Sequence, residues 1–325
     1  MYALPKISRK AAIVIALWAT LVFLPQIFIF YGQTYFITIL TRIIILALVA
    51  VSLDLLIGYG GMVSFGHAAF FGLGGYVVGI SSFHLAEGVP FLGWEGTNSA
   101  LVAWPLAMLV ASLAALAIGA LSLRTSGVNF IMITLAFAQM LFYLFVALKY
   151  YGGDDGLSLR RRNTFPGVNL ARPLELYYVC LAALALAVGG VHVLLKSRFG
   201  MVIRAAKASE RRMHAIGFPV FRYQLVTFII AGAIAGLGGA LWVNLARFVS
   251  PEMLSWVKSG ELMIMVILGG LGTLIGPVIG AAVFIVLETV LTGLTEHWAV
   301  ILGPILIAIV LFVRGGLYGW LRGTR

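Results

Sequence analysis

Charge is scarce in this sequence. Only 10% of its 325 residues are Asp, Glu, Lys or Arg, and 11 are acids. An ordinary soluble domain is about 25% charged. Together with a 62% apolar content, that scarcity excludes a water-soluble enzyme and a disordered chain. Cysteine occurs once, as Cys180, which excludes an internal disulfide and a disulfide-stapled scaffold. No G-x-x-x-x-G-K-[ST] loop is present, so ATP has no P-loop here. There is no H-E-x-x-H and no G-x-S-x-G. The five histidines (67, 84, 192, 214 and 297) show no metal-ligand spacing. No chain of acids crosses the apolar segments, so a proton relay lacks its carriers. Enzymatic chemistry, a metal and a cofactor bound by this chain are therefore not expected.

What is present is apolar length. Mean hydropathy is +1.07, and a membrane helix takes ~20 apolar residues. The run from Ala11 to Phe30 follows Lys6, Arg9 and Lys10. It outruns a signal-peptide core and no small-residue cleavage site follows, so it is expected to be the first span, with its basic start inside. Further runs cover about 35–57, 63–83, 100–122, 127–148, 174–195, 223–243, 261–275, 276–291 and 298–313. The expected fold is an all-α integral membrane protein, a polytopic bundle of about 8–10 transmembrane helices in one domain spanning 1–325. Segment 261–291 reads either as one helix or as two half-length ones, with Gly269, Gly270, Gly272, Gly276 and Pro277 in its middle.

The net charge of +11 would point to nucleic acid in a soluble protein. Here its distribution matters more. Segments 1–10, 123–126, 196–222 and 314–325 hold 14 of the 22 basic residues and a single acid, Glu210. Ten spans put all of them on the cytoplasmic side, termini included. Arg160, Arg161 and Arg162 then fall outside, partly offset by Asp154 and Asp155. Within the second run Arg42 and Asp54 are twelve residues apart, about 18 Å along a helix, too far to pair. Arg42 is expected to snorkel outward.

The longest inner loop, 196–222, is basic. Its part from Met201 to Ile216 reads as a short helix that Gly217 stops. Met201, Ala205, Ala208, Arg212 and Ala215 share a stripe at helical spacing. Such a helix suits either anionic lipid or a cytoplasmic protein partner. Glycines recur at small-xxx-small spacing at Gly75/Gly79, Gly232/Gly236 and Gly272/Gly276/Gly280, which lets helix backbones approach closely in lipid. The stretch 58–79 is so glycine-rich that a broken helix lining a cavity is expected. Ser64, Gly66 and His67 lie there. Asn129, Thr134 and Gln139 give a later run its polar positions. These six, with Gly272 and Gly276, are candidates for a pathway or gate, against the simpler reading of hydrogen bonds between helices.

The stretch "SRFGMVIRAAKASERRMHAIGFPVFRYQLVTFIIAGAIAGLGGALWV", beginning at Ser197, resembles the cytoplasmic loop and following helix of branched-chain amino-acid ABC-importer permeases (LivM-like). So do the glycine-rich 55–80, "RTSGVNFIMITLAFAQM" (124–140), the outer loop "GGDDGLSL" (152–159) and "ILGGLGTLIGPVIGAA" (267–282). The resemblance covers about residues 40–320. It implies an inner-membrane permease of bacteria or archaea with a coupling loop about 196–222 and a periplasmic loop about 149–173. Arg204, Ala205, Glu210, Ala215 and Gly217 would couple to the ATPase. It implies two ATP-binding cassette subunits carrying ATP and magnesium, a second homologous permease, a solute-binding protein outside, and no nucleic acid. Branched-chain amino acids are the implied cargo, with urea, amides and other organic acids carried by similar permeases.

Overall fold

The computed structural model describes residues 9–90, 93, 95–295, 297–312 and 315–322. Lys6, Arg314 and Arg325, counted above among the inner charges, lie outside the described residues. The chain folds into helices α1 (Arg9–Phe30), α2 (Thr34–Asp54), α3 (His67–Glu87), α4 (Ala100–Ser122), α5 (Val128–Ala147), α6 (Pro173–Lys196), α7 (Arg198–Ala208), α8 (Glu210–Ala215), α9 (Val220–Ala246), α10 (Trp256–Gly269), α11 (Gly276–Leu294), α12 (Trp298–Phe312) and α13 (Gly316–Arg322). Eight of them are long and apolar enough to span a bilayer. Helices α10 and α12 are shorter, with 14 and 15 residues, and α12 holds an apolar stretch over Ala299–Ala308. The protein is a polytopic all-helical membrane protein.

Helix α2 is apolar all round, as a central helix must be. Every residue from Ile43 to Gly58 is buried. Helices α6, α9 and α11 pack on it, and α3 and α4 pack in turn on α9, with glycines in place of side chains at the α3–α9 and α4–α9 contacts. A Cβ at Gly239 would collide with the Phe71 carbonyl, one at Gly74 with the Gly236 carbonyl, and one at Gly236 would lie 2.9 Å from the Ala107 carbonyl. Close backbone approach of this kind supplies the packing that lipid gives no hydrophobic drive for. The Gly232/Gly236 spacing thus serves the packing of α9 on α4, whereas Gly75 sits against Val243 of α9 and Met253 and Gly79 against Val249 in β2. The Gly272/Gly276/Gly280 series does not form one helical stripe. Gly272 lies in the turn between α10 and α11 with φ +70°, Gly276 begins α11 against Gly269 at the end of α10, and Gly280 sits further along at the Met265 carbonyl. Segment 261–291 is therefore two helices joined by 270–275.

Arg42 does not snorkel. Its guanidinium donates to both carboxylate oxygens of Glu288 on α11, at 2.8 and 3.0 Å. A carboxylate partner is the stronger solution for a half-buried arginine.

Helix ends alternate between two faces. On one, strand β1 (Leu157–Ser158) pairs antiparallel with β2 (Phe248–Val249). Asn163 there donates its N–H to Asn244 Oδ1 at 2.8 Å, and Asn244 Nδ2 donates back to Asn163 Oδ1 at 2.6 Å. Trp104 Nε1 joins at 3.3 Å. This buried network fastens the 149–172 loop to α4 and α9. The opposite face carries α7 and α8.

Candidate functional site

The α7–α8 face is where helix α2 comes apart. Past Asp54 the chain makes one π turn, Leu55–Tyr59. It then leaves the helix through Gly60 and Gly61, the latter at φ +72°, and α3 begins at His67. Broken backbone at membrane depth requires polar partners from within the protein. They are present. Met62 N–H donates to the Leu56 carbonyl at 3.0 Å. Gly66 N–H donates to Ser64 Oγ at 3.2 Å. Ala68 N–H donates to Ser259 Oγ of α10 at 2.9 Å.

Two further contacts tie this break to its surroundings. Lys207 Nζ from α7 donates to the carbonyl of Gly58, a cation on the negative end of the α2 dipole. Asp54 Oδ1 accepts the Gly272 N–H at 2.8 Å. Gly58 must be glycine here, because a Cβ would collide with both Asp54 and Gly272. The loop helix, the end of α2 and the α10–α11 turn thus meet through Lys207, Gly58, Asp54 and Gly272.

The expected site residues divide into groups. Ser64, Gly66, His67 and Thr134 come together. A Cβ on Gly66 would lie 2.6 Å from the Thr134 carbonyl, so α5 packs directly on the broken segment. His67 is buried and its Nε2 lies 2.7 Å from Ser52 Oγ on α2. The Ser52 hydroxyl donates to the Val49 carbonyl, so it accepts from His67 and Nε2 carries the proton. Nδ1 then has no partner. This histidine joins two helices by a hydrogen bond, as in the simpler of the two sequence readings. Gly272 and Gly276 lie in the nearby α10–α11 turn. Asn129 lines a cavity of about 630 Å³ with Lys207 and Glu210. Gln139 stands apart, in a separate cavity of about 780 Å³ toward the β1–β2 face.

The loop corrects one expectation. The helix predicted from Met201 to Ile216 is two helices. Ser209 adopts extended backbone and its Oγ accepts the Arg212 N–H, capping α8 with Glu210 in the first turn. A serine before an acid is a helix-start signal that a longer helical pattern had concealed. Gly217 does stop the helix, at φ +84°. Its N–H donates to the His214 carbonyl and that of Phe218 to the Met213 carbonyl, both at 3.0 Å, which is a Schellman closure. The expected stripe Met201, Ala205, Ala208, Arg212 and Ala215 faces away from the bundle, every member exposed. Met201 and Ala205 edge an apolar hollow of about 440 Å³ with Met213 and Phe218. Glu210 lies 3.9 Å from His214. Arg204 folds back on its own loop: it donates to the Leu195 and Gly200 carbonyls at 3.0 and 3.3 Å, holding α7 on the end of α6. Lys207, Gly58 and Ser259 were not singled out from the sequence, and Asp54 was noted only for its distance from Arg42. The glycine-rich stretch marked the region, but no local pattern announces contacts across more than a hundred residues.

On the opposite face a cavity of about 850 Å³ gathers Arg160, Arg161, Arg162, Arg172 and Arg247. Burial, and then the neighbouring Arg247, push the Arg162 guanidinium below its usual pKa. Arg162 Nε is buried without a partner. Among the described residues no three His, Cys, Asp or Glu are grouped to hold a metal.

A family described as "Branched-chain amino acid transport system / permease component" matches residues 35–312. Two curated relatives are each named as the high-affinity branched-chain amino acid transport system permease protein LivM, one from Salmonella typhimurium and one from Escherichia coli. Each is 23% identical over 303 residues, covering 86% of this chain and 69% of the relative. No solved structure matches. With the match running from the start of α2 to the end of α12, the chain belongs to the permease components of branched-chain amino-acid transport systems.

Proposed function

We propose that this protein is the membrane-spanning subunit of an ATP-driven importer of branched-chain amino acids. It sits in a bacterial or archaeal cytoplasmic membrane with both termini and the α7–α8 face inside. Two ATP-binding cassette subunits hold ATP and magnesium and dock on the exposed stripe of α7 and α8, with Ala205, Glu210, Ala215 and Gly217 at that contact. A second homologous permease completes the membrane pair. A solute-binding protein delivers cargo at the β1–β2 face, where the arginine cavity favours an acidic partner surface.

The observation that carries this reading is the junction of Lys207 with Gly58 and of Asp54 with Gly272. An exposed loop helix is fastened to the end of α2 at Gly58, and the end of α2 is fastened in turn to the α10–α11 turn through Asp54. Movement of the loop by an ATPase dimer would pull on the backbone break rather than on the rim of a rigid bundle. Free energy then enters from outside this chain, in keeping with its lack of a P-loop.

The test is purification of the tagged chain from its native membrane in mild detergent, with partners identified by mass. An ATPase pair and a second permease support the reading. A chain that comes out alone and carries solute by itself in liposomes overturns it in favour of a standalone transporter.

A further inference from the structure

The outside of the bundle is not uniform. On α4 and α6 the exposed positions include Leu109, Leu113, Leu186 and Val193, side chains that suit lipid. On α5, α9 and α10, in the half toward the β1–β2 face, the 780 Å³ cavity holds Gln139, Lys258 and Glu261 beside Phe142, Trp242 and Met253. Lys258 Nζ donates to Glu261 Oε2 at 2.6 Å. Its ammonium stands 5.9 Å from the Trp242 ring centroid.

A charge facing hydrocarbon costs about 2.5–3.5 kcal/mol or more, and charges retained at that depth face water, protein or cargo. The Lys258–Glu261 bond joins residues one turn apart on a single helix, so it fastens no second helix. Both side chains keep part of their surface open, 19% and 32%. The volume lies within the roughly 300–1,000 Å³ typical of small-molecule sites.

We propose that this cavity is a transient site for a zwitterionic α-amino acid with an apolar side chain. Its carboxylate takes the ammonium of Lys258 and its ammonium takes the carboxylate of Glu261. Its side chain lies on Phe142 and Trp242. Neighbouring positive and negative groups on one helical turn match the two charges carried on one α-carbon. The protein's own ion pair must open to admit the ligand, so binding is weak, which suits a cargo in transit. The assignment rests on the amino-acid reading of the previous section and locates where that cargo pauses.

The test uses the complex purified with its partners in lipid nanodiscs, the chain carrying Gln139→Cys. Its only other thiol, Cys180, is fully buried, so labelling of this chain by a cationic water-soluble methanethiosulfonate, read by its mass apart from the partner subunits, reports on the cavity. L-leucine at twice its dissociation constant is expected to slow labelling about threefold. Leucinamide, which lacks the carboxylate, and isocaproate, which lacks the ammonium, are expected to leave it unchanged. Lys258→Gln should abolish the protection. So should the charge-exchanged K258E/E261K chain, which keeps an ion pair on α10 for folding but reverses its direction. Failure of the Gln139→Cys chain to label, equal protection by all three compounds, or full protection in the exchanged chain overturns the proposal. If L-leucine gives no protection while the assembled complex still imports it, the cavity assignment alone falls. If the complex imports no amino acid, the transport reading falls with it.

Discussion

Lys207→Met removes the charged contact between the loop helix α7 and the Gly58 carbonyl. Methionine keeps the apolar stem and the helix propensity of α7, so the change isolates the ammonium. A hydrogen bond with a charged partner contributes about 1.5–3 kcal/mol, and Lys207 is exposed, so the lower end applies. Each 1.4 kcal/mol is about a factor of ten. If the contact is present in one access state and absent in the other, the balance between them shifts about tenfold away from the state described here. The assay is leucine uptake per ATP hydrolysed in proteoliposomes holding the whole complex. Uptake is expected to fall about tenfold while complex assembly and basal hydrolysis persist, and Lys207→Arg is expected to retain more of it. A Lys207→Met complex that moves leucine at the wild-type ratio would refute the idea that force passes through Gly58.

Gly239→Val sets a side chain against the Phe71 carbonyl; overpacking of this kind costs about 1–3 kcal/mol, so the detergent melting point should drop, whereas Gly293→Ala meets nothing within 4 Å and should leave it unchanged or raised. Asn244→Ala removes the two bonds between Asn163 and Asn244 and leaves the buried Asn163 N–H without its acceptor. With buried polar groups left unpaired at about 1–3 kcal/mol, the 149–172 loop should become the first site cut in limited proteolysis. Gly217→Val forces a β-branched residue into left-handed backbone, costing about 1–2 kcal/mol; uptake should fall while membrane insertion survives, and unchanged uptake would count against a coupling role. Arg42→Leu leaves Glu288 unpaired, and a buried charge without its partner is costlier than no charge. The double change Arg42→Leu with Glu288→Leu should therefore melt higher than Arg42→Leu alone.

Helix positions were largely legible because length is what a bilayer demands of a span. The runs at 100–122 and 174–195 coincide almost residue for residue with α4 and α6. What each helix touches was hidden for the same reason. In water an apolar stripe tells which face is buried, but in lipid both the exposed and the packed faces are apolar, and the exposed leucines of α4 look like core leucines. Glycine spacing located close approaches in α3 and α9, yet failed at Gly272, because a glycine permits either a helix contact or a positive φ and spacing alone does not separate them. The candidate site was read halfway. His67 and the glycine-rich break drew attention as a polar, flexible segment. The partners that give it meaning lie far away in sequence: Lys207 is 149 residues from Gly58, Gly272 is 218 from Asp54, and Ser259 is 191 from Ala68.

Those three contacts share one consequence. Two of them end on α10 or on the turn that follows it. Ser259 caps α3 from the first turns of α10, and Gly272 receives Asp54 just past its end. Helix α10 has 14 residues, about 21 Å of helix, and it carries Lys258 and Glu261 on the same turns as Ser259. A rigid helix of that length cannot shift at one end without shifting at the other. Force delivered through Lys207 at the loop would reach Asp54 and Gly272, tilt α10, and arrive at Lys258 and Glu261 in the opposite half of the bundle. A contiguous run of packed elements with discrete contacts at both ends is one physical form such coupling takes.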